Sequence, residues 1–270
     1  MSTLTIKATK PQADFLTMPN KYRLFCAGFG AGKSEAMANG AVIDAAKSSD
    51  ALIGCYAPTY GLIKLITLPR LQQKLTEHGV RYKYNQLDSA LYTSSGGFGD
   101  FILRTLDNPN RIVGYETLTA HVDELDTLRT EHARIAWNQV IARNRQQPKG
   151  MSEPFNQASA YTTPEGFKFC YDRWVANANE YYGMVSASTY SNPYLPKDYI
   201  DSLKASYPAN LIDAYIEGRF VNLTSGAVYP DFDRKLNGCL DKEEAREVLH
   251  IGMDFNVYNM AAIICVIRDG

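Results

Sequence analysis

One segment restricts the possible folds of this chain more than any other. The mainly apolar residues Tyr22–Ala27 predict a buried strand and run directly into Gly28–Ser34, a glycine-rich loop that ends in Lys-Ser. An Ala- and Met-rich stretch from Lys33 to Lys47 then predicts a helix. A strand, a tight glycine loop and a helix in this order are typical of a phosphate-binding loop in an α/β protein.

The loop departs from the pattern G-x-x-x-x-G-K-[ST] only at its first position, where Ala27 replaces glycine. Glycines let backbone N–H groups wrap around a phosphate, and the following helix N-terminus adds a positive dipole. Lys33 is predicted to contact the β- and γ-phosphates, and the Ser34 hydroxyl to bind Mg²⁺. The alternative is a glycine-rich turn with a chance Lys-Ser. The predicted ATP-binding residues of the loop are Gly28, Gly30, Ala31, Gly32, Lys33 and Ser34.

Two further features support a nucleotide site. The apolar segment from Leu118 ends in two adjacent carboxylates, Asp123 and Glu124. We expect Asp123 to hold the metal opposite Ser34, and Glu124 to polarise an attacking water, although a solvated strand end has the same pattern. Gln12, upstream of the first strand, is a candidate for recognising the adenine edge or is a surface residue of an N-terminal helix.

The rest of the chain alternates strand-like and helix-like segments, with helices predicted over Leu62–His78 and after Pro164, which favours an α/β protein with a mainly parallel sheet. The short Tyr- and Phe-rich segments between residues 80 and 104 predict an antiparallel meander. The last segment, Leu249–Arg268, predicts two strands joined by a turn near Asn256–Asn259. We place a domain boundary between Asn222 and Lys242.

Composition excludes several classes of protein. The chain has 28 basic and 29 acidic residues, so it is not a highly basic nucleic-acid coat, and DNA binding would have to come from local patches. Five cysteines without a CxxC pair favour a reduced, intracellular protein. The polar N-terminus has no signal-peptide pattern, and no apolar run is long enough to cross a membrane.

Taken in order, these motifs resemble the large terminase subunit of tailed bacteriophages, the motor that packages DNA into the procapsid. The resemblance covers roughly residues 10–270 and depends on order and spacing, since each motif is short. The matching segments are Lys10–Gln12, Ala27–Ser34, Cys55–Thr59, Val122–Glu124, Thr162–Gly166, Asn192–Leu195, Glu217–Phe220, Gly226–Tyr229 and Ile251–Asp254.

The resemblance implies a fold of α/β class: a P-loop NTPase of the ASCE type with an antiparallel insertion, followed by the opening hairpin of an RNase H-like nuclease domain. The implied domains are the ATPase at 1–222, with a helical linker subdomain from about 191, a linker at 223–245 and nuclease strands at 246–270. Thr162 and Thr163 would sense the γ-phosphate and couple its loss to movement. The residue pattern alone fits equally an N-cap before Pro164.

The resemblance also implies cofactors and partners. ATP and Mg²⁺ would serve the motor, and Mg²⁺ or Mn²⁺ the nuclease. The partners would be double-stranded viral DNA, the small terminase subunit, the portal protein of the procapsid and further copies in a ring. The location would be the host cytoplasm, with transient docking on the procapsid and no membrane association.

Two departures from the family pattern affect these expectations. Many family loops carry arginine where this chain has Phe29, so either another arginine stabilises the transferring phosphate or hydrolysis is slow without a partner. Arg111 is the candidate for this role, acting in its own subunit or in a neighbouring one. The alternative is that Arg111 is a surface arginine in a loop. Other candidates for the role are Arg129, Arg143 and Arg145. Asp254 is the one nuclease metal ligand visible, so the chain is expected to be truncated early in that domain.

Three functions therefore remain to be separated. The first is an ATP-hydrolysing DNA translocase of the terminase type, which in full-length form also cleaves DNA. The second is a helicase-like or repair P-loop ATPase, which leaves the hairpin at Asp254 unexplained. The third is a module that binds ATP with little hydrolysis, favoured by Ala27 and Phe29 and opposed by Glu124.

Overall fold

The computed structural model describes residues 4–94, 96–223, 244, 247–254 and 261–268. The chain divides into two compact units, Met1–Thr224 and Ser225–Gly270. Among the described residues, no helix is both long and apolar enough to cross a bilayer.

The first unit is built on one eight-stranded sheet, in the order β3-β4-β5-β2-β6-β7-β1-β8. Its strands are β1 (Tyr22–Ala27), β2 (Leu52–Ala57), β3 (Tyr82–Asn85), β4 (Ala90–Thr93), β5 (Asp100–Thr105), β6 (Thr119–Asp123), β7 (Ala158–Thr162) and β8 (Tyr182–Ala187). Strand β5 and the five strands beyond it pair in parallel, whereas β3 pairs with β4, and β4 with β5, in antiparallel fashion. The prediction of an α/β sheet with an antiparallel insertion is confirmed.

Helices cover both faces of this sheet. They are α1 (Lys10–Leu16), α2 (Lys33–Ala45), α3 (Tyr60–Leu62), α4 (Leu68–Glu77), α5 (Thr130–Arg143), α6 (Phe169–Tyr171), α7 (Tyr199–Ser206) and α8 (Ala209–Tyr215). On β1, Leu24 packs into a core with Trp137 of α5, while its neighbour Phe25 packs on the opposite side with Met37 of α2. Because both faces of β1 are buried, its sequence is continuously apolar and does not alternate.

Two predicted helices differ from those observed. The continuous helix expected from Leu62 to His78 contains a π-helical turn at Ile63–Thr67, because Pro69 has no N–H to continue the regular pattern. The helix expected directly after Pro164 begins at Phe169, since Gly166 has a positive φ of 88° that a helix does not allow. Thr162 and Thr163 therefore do not cap a helix.

The second unit contains an antiparallel pair of strands, β9 (Leu249–Asp254) and β10 (Ala261–Val266), with Asp254 opposite Ala261. Both strands were predicted from the sequence. The predicted turn at Asn256–Asn259 and the motif Gly226–Tyr229 lie outside the described residues, as does most of the predicted linker 223–245. The assignment of this pair to a nuclease domain stays a prediction.

Candidate nucleotide site

Three neighbouring strands bring the glycine loop, Asp123, Glu124 and the two threonines to the same end of the sheet. Strand β7 lies between β1 and β6, with Thr162 opposite Cys26 and Tyr161 opposite Asp123. The glycine loop after β1, the carboxylates that end β6 and the threonines that end β7 therefore meet at the carboxyl ends of parallel strands, where α/β proteins bind their ligands.

The loop turns at glycines with positive φ, and its last two residues, Lys33 and Ser34, are the first residues of a helix. Gly32 has a φ of 90° and precedes α2, which begins at Lys33. The first N–H groups of a helix have no intrahelical acceptor, so this end of α2 presents donors to an anion. This is the geometry that the sequence pattern predicts for a phosphate-binding loop.

Lys33 is buried at the start of α2 and faces Glu124 across the site. Its Nζ lies 3.9 Å from Glu124 Oε1 and donates to the carbonyl oxygens of Ala27 at 3.3 Å and Gly28 at 3.4 Å. With 8% of its surface exposed, the ammonium group is held between the loop and the end of β6. The contact places the predicted phosphate-binding cation next to the predicted catalytic carboxylate.

Glu124 adopts a conformation that is unusual for a residue with a side chain. Its φ is 47° and its ψ is 43°, in the left-handed region, and its N–H donates to the Tyr161 carbonyl at 2.7 Å. Its Oε2 accepts from the N–H of Thr163 at 3.5 Å. Such backbone strain is concentrated at functional sites, and here it turns the carboxylate toward the loop.

Asp123 is 4% exposed, and its Oδ1 has no hydrogen-bond partner among the described residues. Burial, reinforced by the neighbouring charge of Glu124, raises the pKa of Asp123 to about 7, although Lys33 opposes the shift. A buried carboxylate oxygen without a donor is suited to a cation or to a cation-bound water. The residues present therefore fit a Mg²⁺ ion.

Gln12 on α1 lies directly against the loop. Its Oε1 accepts from the Thr9 N–H at 2.9 Å, and its Nε2 donates to the Gly32 carbonyl at 2.9 Å. An amide has two donor hydrogens and two acceptor lone pairs, so one of each remains available for a ligand. Adenine offers the complementary pair on its N6/N7 edge.

Most of these residues line a cleft of about 1170 Å³. It is lined by Gln12, Gly30, Gly32, Lys33, Ser34 and Glu124 together with residues that were not predicted, among them Arg70 and Tyr194. This volume is slightly above the range of about 300–1,000 Å³ that is usual for small-molecule sites, so a nucleotide fits.

The predicted arginines are not among the residues that line this cleft. Arg111 is exposed at the end of the 3₁₀ helix Pro109–Arg111 and lines a separate pocket of about 280 Å³. Arg145 forms an ion pair with Glu116 at 2.9 Å. Arg129 precedes α5, and Arg143 ends it. Any role for Arg111 in this cleft thus requires a neighbouring copy or a movement of the chain.

Two groups of site residues were missed by sequence reasoning. Asn192, noted only as part of a family motif, donates through Nδ2 to the Gly30 carbonyl at 2.6 Å. Glu35, next to Ser34, pairs with Arg70 at 3.5 Å and with the buried Lys74. The pairs join α2 to α4, and no local pattern reveals which charged residues of α4 face α2.

Thr162 and Thr163 have different surroundings. Thr162 Oγ1 accepts from the Asp126 N–H at 3.2 Å and donates to the Thr163 carbonyl at 3.1 Å. Thr163 is 2% exposed, and its Oγ1 has no hydrogen-bond partner within the described ranges. Because Thr163 also donates its N–H to Glu124, it is the threonine in direct contact with the predicted catalytic group.

The close packing of the loop yields a first testable prediction. A Cβ at Gly28 would lie 2.5 Å from the Ile216 carbonyl oxygen and 2.6 Å from Thr189 Oγ1. We expect Gly28→Ala to lower the free energy of unfolding by about 1–3 kcal/mol, because backbone atoms must shift. Thermal unfolding measures the change, with the equivalent substitution at exposed Gly96, which meets nothing within 4 Å, as the control. Equal unfolding temperatures for the two variants would contradict the packing described.

Comparisons with solved structures identify the fold. The large terminase of a thermophilic bacteriophage, solved in complex with ADP, has a TM-score of 0.68 at 19% sequence identity. That alignment covers 97% of this chain and 65% of the thermophilic phage protein. The ATPase domain of the Thermus phage P74-26 large terminase has a TM-score of 0.57 at 15% identity over 80% of this chain and 94% of that domain.

A third similar structure is the HK97 bacteriophage large terminase, with a TM-score of 0.60 at 12% identity over 98% of this chain and 61% of that chain. The chain thus spans just under two thirds of the length of the terminase solved with ADP. A search of curated proteins finds no match. A family model described as "Terminase large subunit, T4likevirus-type, N-terminal" matches residues 24–236. The sheet order, the loop and this match lead to one conclusion: the chain belongs to the terminase large subunit family.

Proposed function

We propose that this chain is the ATP-hydrolysing motor of a phage DNA-packaging machine. The observation that carries the proposal is the 3.9 Å contact between Lys33, the proposed phosphate-binding cation, and Glu124, the proposed catalytic carboxylate, which line one cleft. A binding module needs the lysine but has no need of a strained glutamate directed toward the loop. Solved complexes of the thermophilic bacteriophage large terminase with ADP and with ATP-γ-S support a nucleotide in this fold.

The residues suggest how hydrolysis would proceed. Lys33 and the loop N–H groups would neutralise the β- and γ-phosphates, and Glu124 would orient and deprotonate the attacking water. Ser34 and Asp123 would hold Mg²⁺, which when bound supplies charge neutralisation for the phosphates. Gln12 would select adenine through its remaining donor and acceptor.

Coupling to DNA would begin at Thr163, whose N–H contacts Glu124. Loss of the γ-phosphate changes the charge that Glu124 faces, and Thr163 would transmit this change to residues 164–168. The partners would be double-stranded viral DNA, the portal protein, the small terminase subunit and further copies of this chain in a ring. The site of action would be the host cytoplasm, on the procapsid.

The proposed nuclease function would require metal ligands besides Asp254. Asp254 ends β9, and its proposed metal ligation with Mg²⁺ or Mn²⁺ needs further carboxylates. We keep this role as a prediction.

Phosphate release measured with and without double-stranded DNA tests the proposal. A packaging motor should hydrolyse ATP in a manner that depends on double-stranded DNA. A helicase-like ATPase should respond to single-stranded DNA instead, and a binding module should show binding without turnover. The absence of any turnover, with nucleotide bound, would refute the motor.

Arg111 gives a separate prediction because it lies outside the cleft of its own subunit. If it completes a neighbour's site, mixing Arg111→Ala with Glu124→Gln subunits should restore part of the activity that each variant lacks. Phosphate release from a verified mixed assembly measures the rescue, and exposed Arg219→Ala replaces Arg111→Ala in the control mixture. Normal DNA-stimulated turnover by Arg111→Ala alone would remove Arg111 from the mechanism.

A further inference from the structure

The cleft that holds Lys33 and Ser34 also contains an arginine, Arg70 of α4. Of the described residues that line this cleft, Arg70 is the one arginine. Phe29, where many family loops carry arginine, instead stacks its ring on Tyr215 of α8, with centroids 4.7 Å apart. The guanidinium group in this cleft therefore comes from α4 and not from the loop.

Arg70 lies beside the first turn of α2. Its Nη1 is 3.5 Å from Oε2 of Glu35, the residue that directly follows Ser34. The N–H groups of a first helical turn have no intrahelical acceptor, so they attract anions, and the helix dipole adds to this effect. The contact with Glu35 thus places a cationic side chain of α4 next to the end of α2 that is suited to a phosphate.

Lys33 and Arg70 face different parts of the cleft. Lys33 lies 3.9 Å from Glu124, where the γ-phosphate is proposed to react. Glu35 and Asn39, one turn apart on α2, continue the cleft away from the loop, and Arg70 pairs with the first of them. A cation at this point is placed for the α- and β-phosphates, which ATP and ADP share, and not for the phosphate that is transferred.

The protein contacts of Arg70 leave most of its donors available. In the described part of the chain, Nη1 makes its polar contacts, with Glu35 and, at 3.1 Å, with Gln73 Oε1. A guanidinium group has five N–H donors in a planar fork, so the three on Nε and Nη2 can bind a phosphate. Since 42% of its side chain is exposed, Arg70 also has room to turn toward a ligand.

Glu35 does not depend on Arg70 for its neutralisation. Its other oxygen, Oε1, pairs with Nζ of the buried Lys74, which also pairs with Glu77 at 2.7 Å. The 3.5 Å between Arg70 and Glu35 is longer than the about 2.7–2.9 Å of a strong charge-assisted hydrogen bond. Arg70 can therefore exchange this weak contact for a phosphate with little loss.

We infer that Arg70 is a second phosphate-binding cation of the nucleotide site and binds the α- and β-phosphates within its own subunit. This inference rests on the proposed function as an ATPase. Because the same two phosphates remain after hydrolysis, Arg70 holds ADP as firmly as ATP. Its contribution therefore appears in nucleotide affinity and not in the chemical step.

Arg70→Gln should weaken the binding of ADP and of ATP-γ-S alike, by about ten- to a hundredfold, because each loses a hydrogen bond between charged groups. Isothermal titration calorimetry measures both affinities. Arg219→Gln removes an exposed arginine that pairs with Asp213 at 3.7 Å, and as the matched control it should leave both affinities unchanged. Arg70→Lys should bind both nucleotides more tightly than Arg70→Gln, because it keeps the charge and loses only the planar fork.

Glu35→Gln distinguishes phosphate binding from a purely structural ion pair. If pairing with Glu35 were the whole role of Arg70, both glutamine variants would lower the unfolding temperature and the affinity in the same direction. On the inference, Glu35→Gln instead raises affinity by about two- to fivefold, because a weak competing contact is removed. The gain should be smaller in the Arg70→Gln background, because the two residues are coupled.

The outcomes separate this inference from the proposed function. Unchanged affinity of Arg70→Gln for both nucleotides, a loss for ATP-γ-S alone, or equal affinities of Arg70→Gln and Arg70→Lys would overturn the inference and leave the proposed hydrolysis intact. If the wild-type chain binds nucleotide but does not hydrolyse ATP, the proposed motor function fails, and the affinities still decide the role of Arg70. A wild-type chain that binds neither nucleotide would overturn both.

Discussion

Lys33→Ala is expected to abolish ATP hydrolysis, with a fall of at least about a thousandfold, because the transferred phosphate loses its fixed cation. Nucleotide affinity should also weaken, since the same charge acts on the bound substrate. Steady-state phosphate release and competition with a fluorescent nucleotide measure the two effects.

The control for Lys33→Ala is Lys10→Ala, which removes an exposed lysine paired with Asp14 on α1. This variant should hydrolyse ATP at the wild-type rate, because exposed ion pairs of this kind contribute little to stability. If Lys33→Ala retained turnover within about tenfold of wild type, a loss smaller than that expected for one transition-state donor, the loop would not be the catalytic phosphate site.

Glu124→Gln should lower the rate of ATP hydrolysis by about 10²–10⁴-fold, whereas nucleotide binding should persist. The amide keeps the size of the side chain and an oxygen that can accept from the Thr163 N–H, and it removes the negative charge that activates water and faces Lys33. Glu131→Gln, on the exposed surface of α5, provides a matched control. The prediction is tested by measuring both ATP affinity and phosphate release for each variant.

Two outcomes for Glu124→Gln would contradict the proposed mechanism. Turnover at the wild-type rate would remove Glu124 as the base. Loss of binding together with turnover would show that the carboxylate mainly organises the loop through Lys33, which it approaches at 3.9 Å.

Sequence reasoning succeeded where the chemistry is local. The loop from Ala27 to Ser34 is defined by consecutive residues, because glycine conformations and a helix start are determined within one turn. The position of Asp123 and Glu124 at a strand end followed from apolar patterning, although their place beside Lys33 depended on the sheet order. In the structure, Gly30, Gly32, Lys33, Ser34 and Glu124 line one cleft, and their roles there stay predictions.

Sequence reasoning was less informative where function depends on contacts between distant segments. The contact of Tyr215 with Phe29 joins residues far apart in the chain, and no spacing in either segment indicates it. The same holds for Arg70, which faces Glu35 only because α4 packs against α2. The sequence shows that Phe29 departs from the family pattern. Its contact with Tyr215 of α8 is visible only in the structure.

The left-handed backbone at Glu124 has a consequence for how this position evolves. A side chain in that region costs roughly 1–2 kcal/mol, and glycine avoids most of the penalty. Selection for folding alone would therefore favour glycine after Asp123, and drift would carry a chain that merely stores nucleotide in that direction. On the proposed mechanism, a glutamate there reflects selection for turnover, and its presence in other chains with this loop should separate active motors from chains that have lost the reaction.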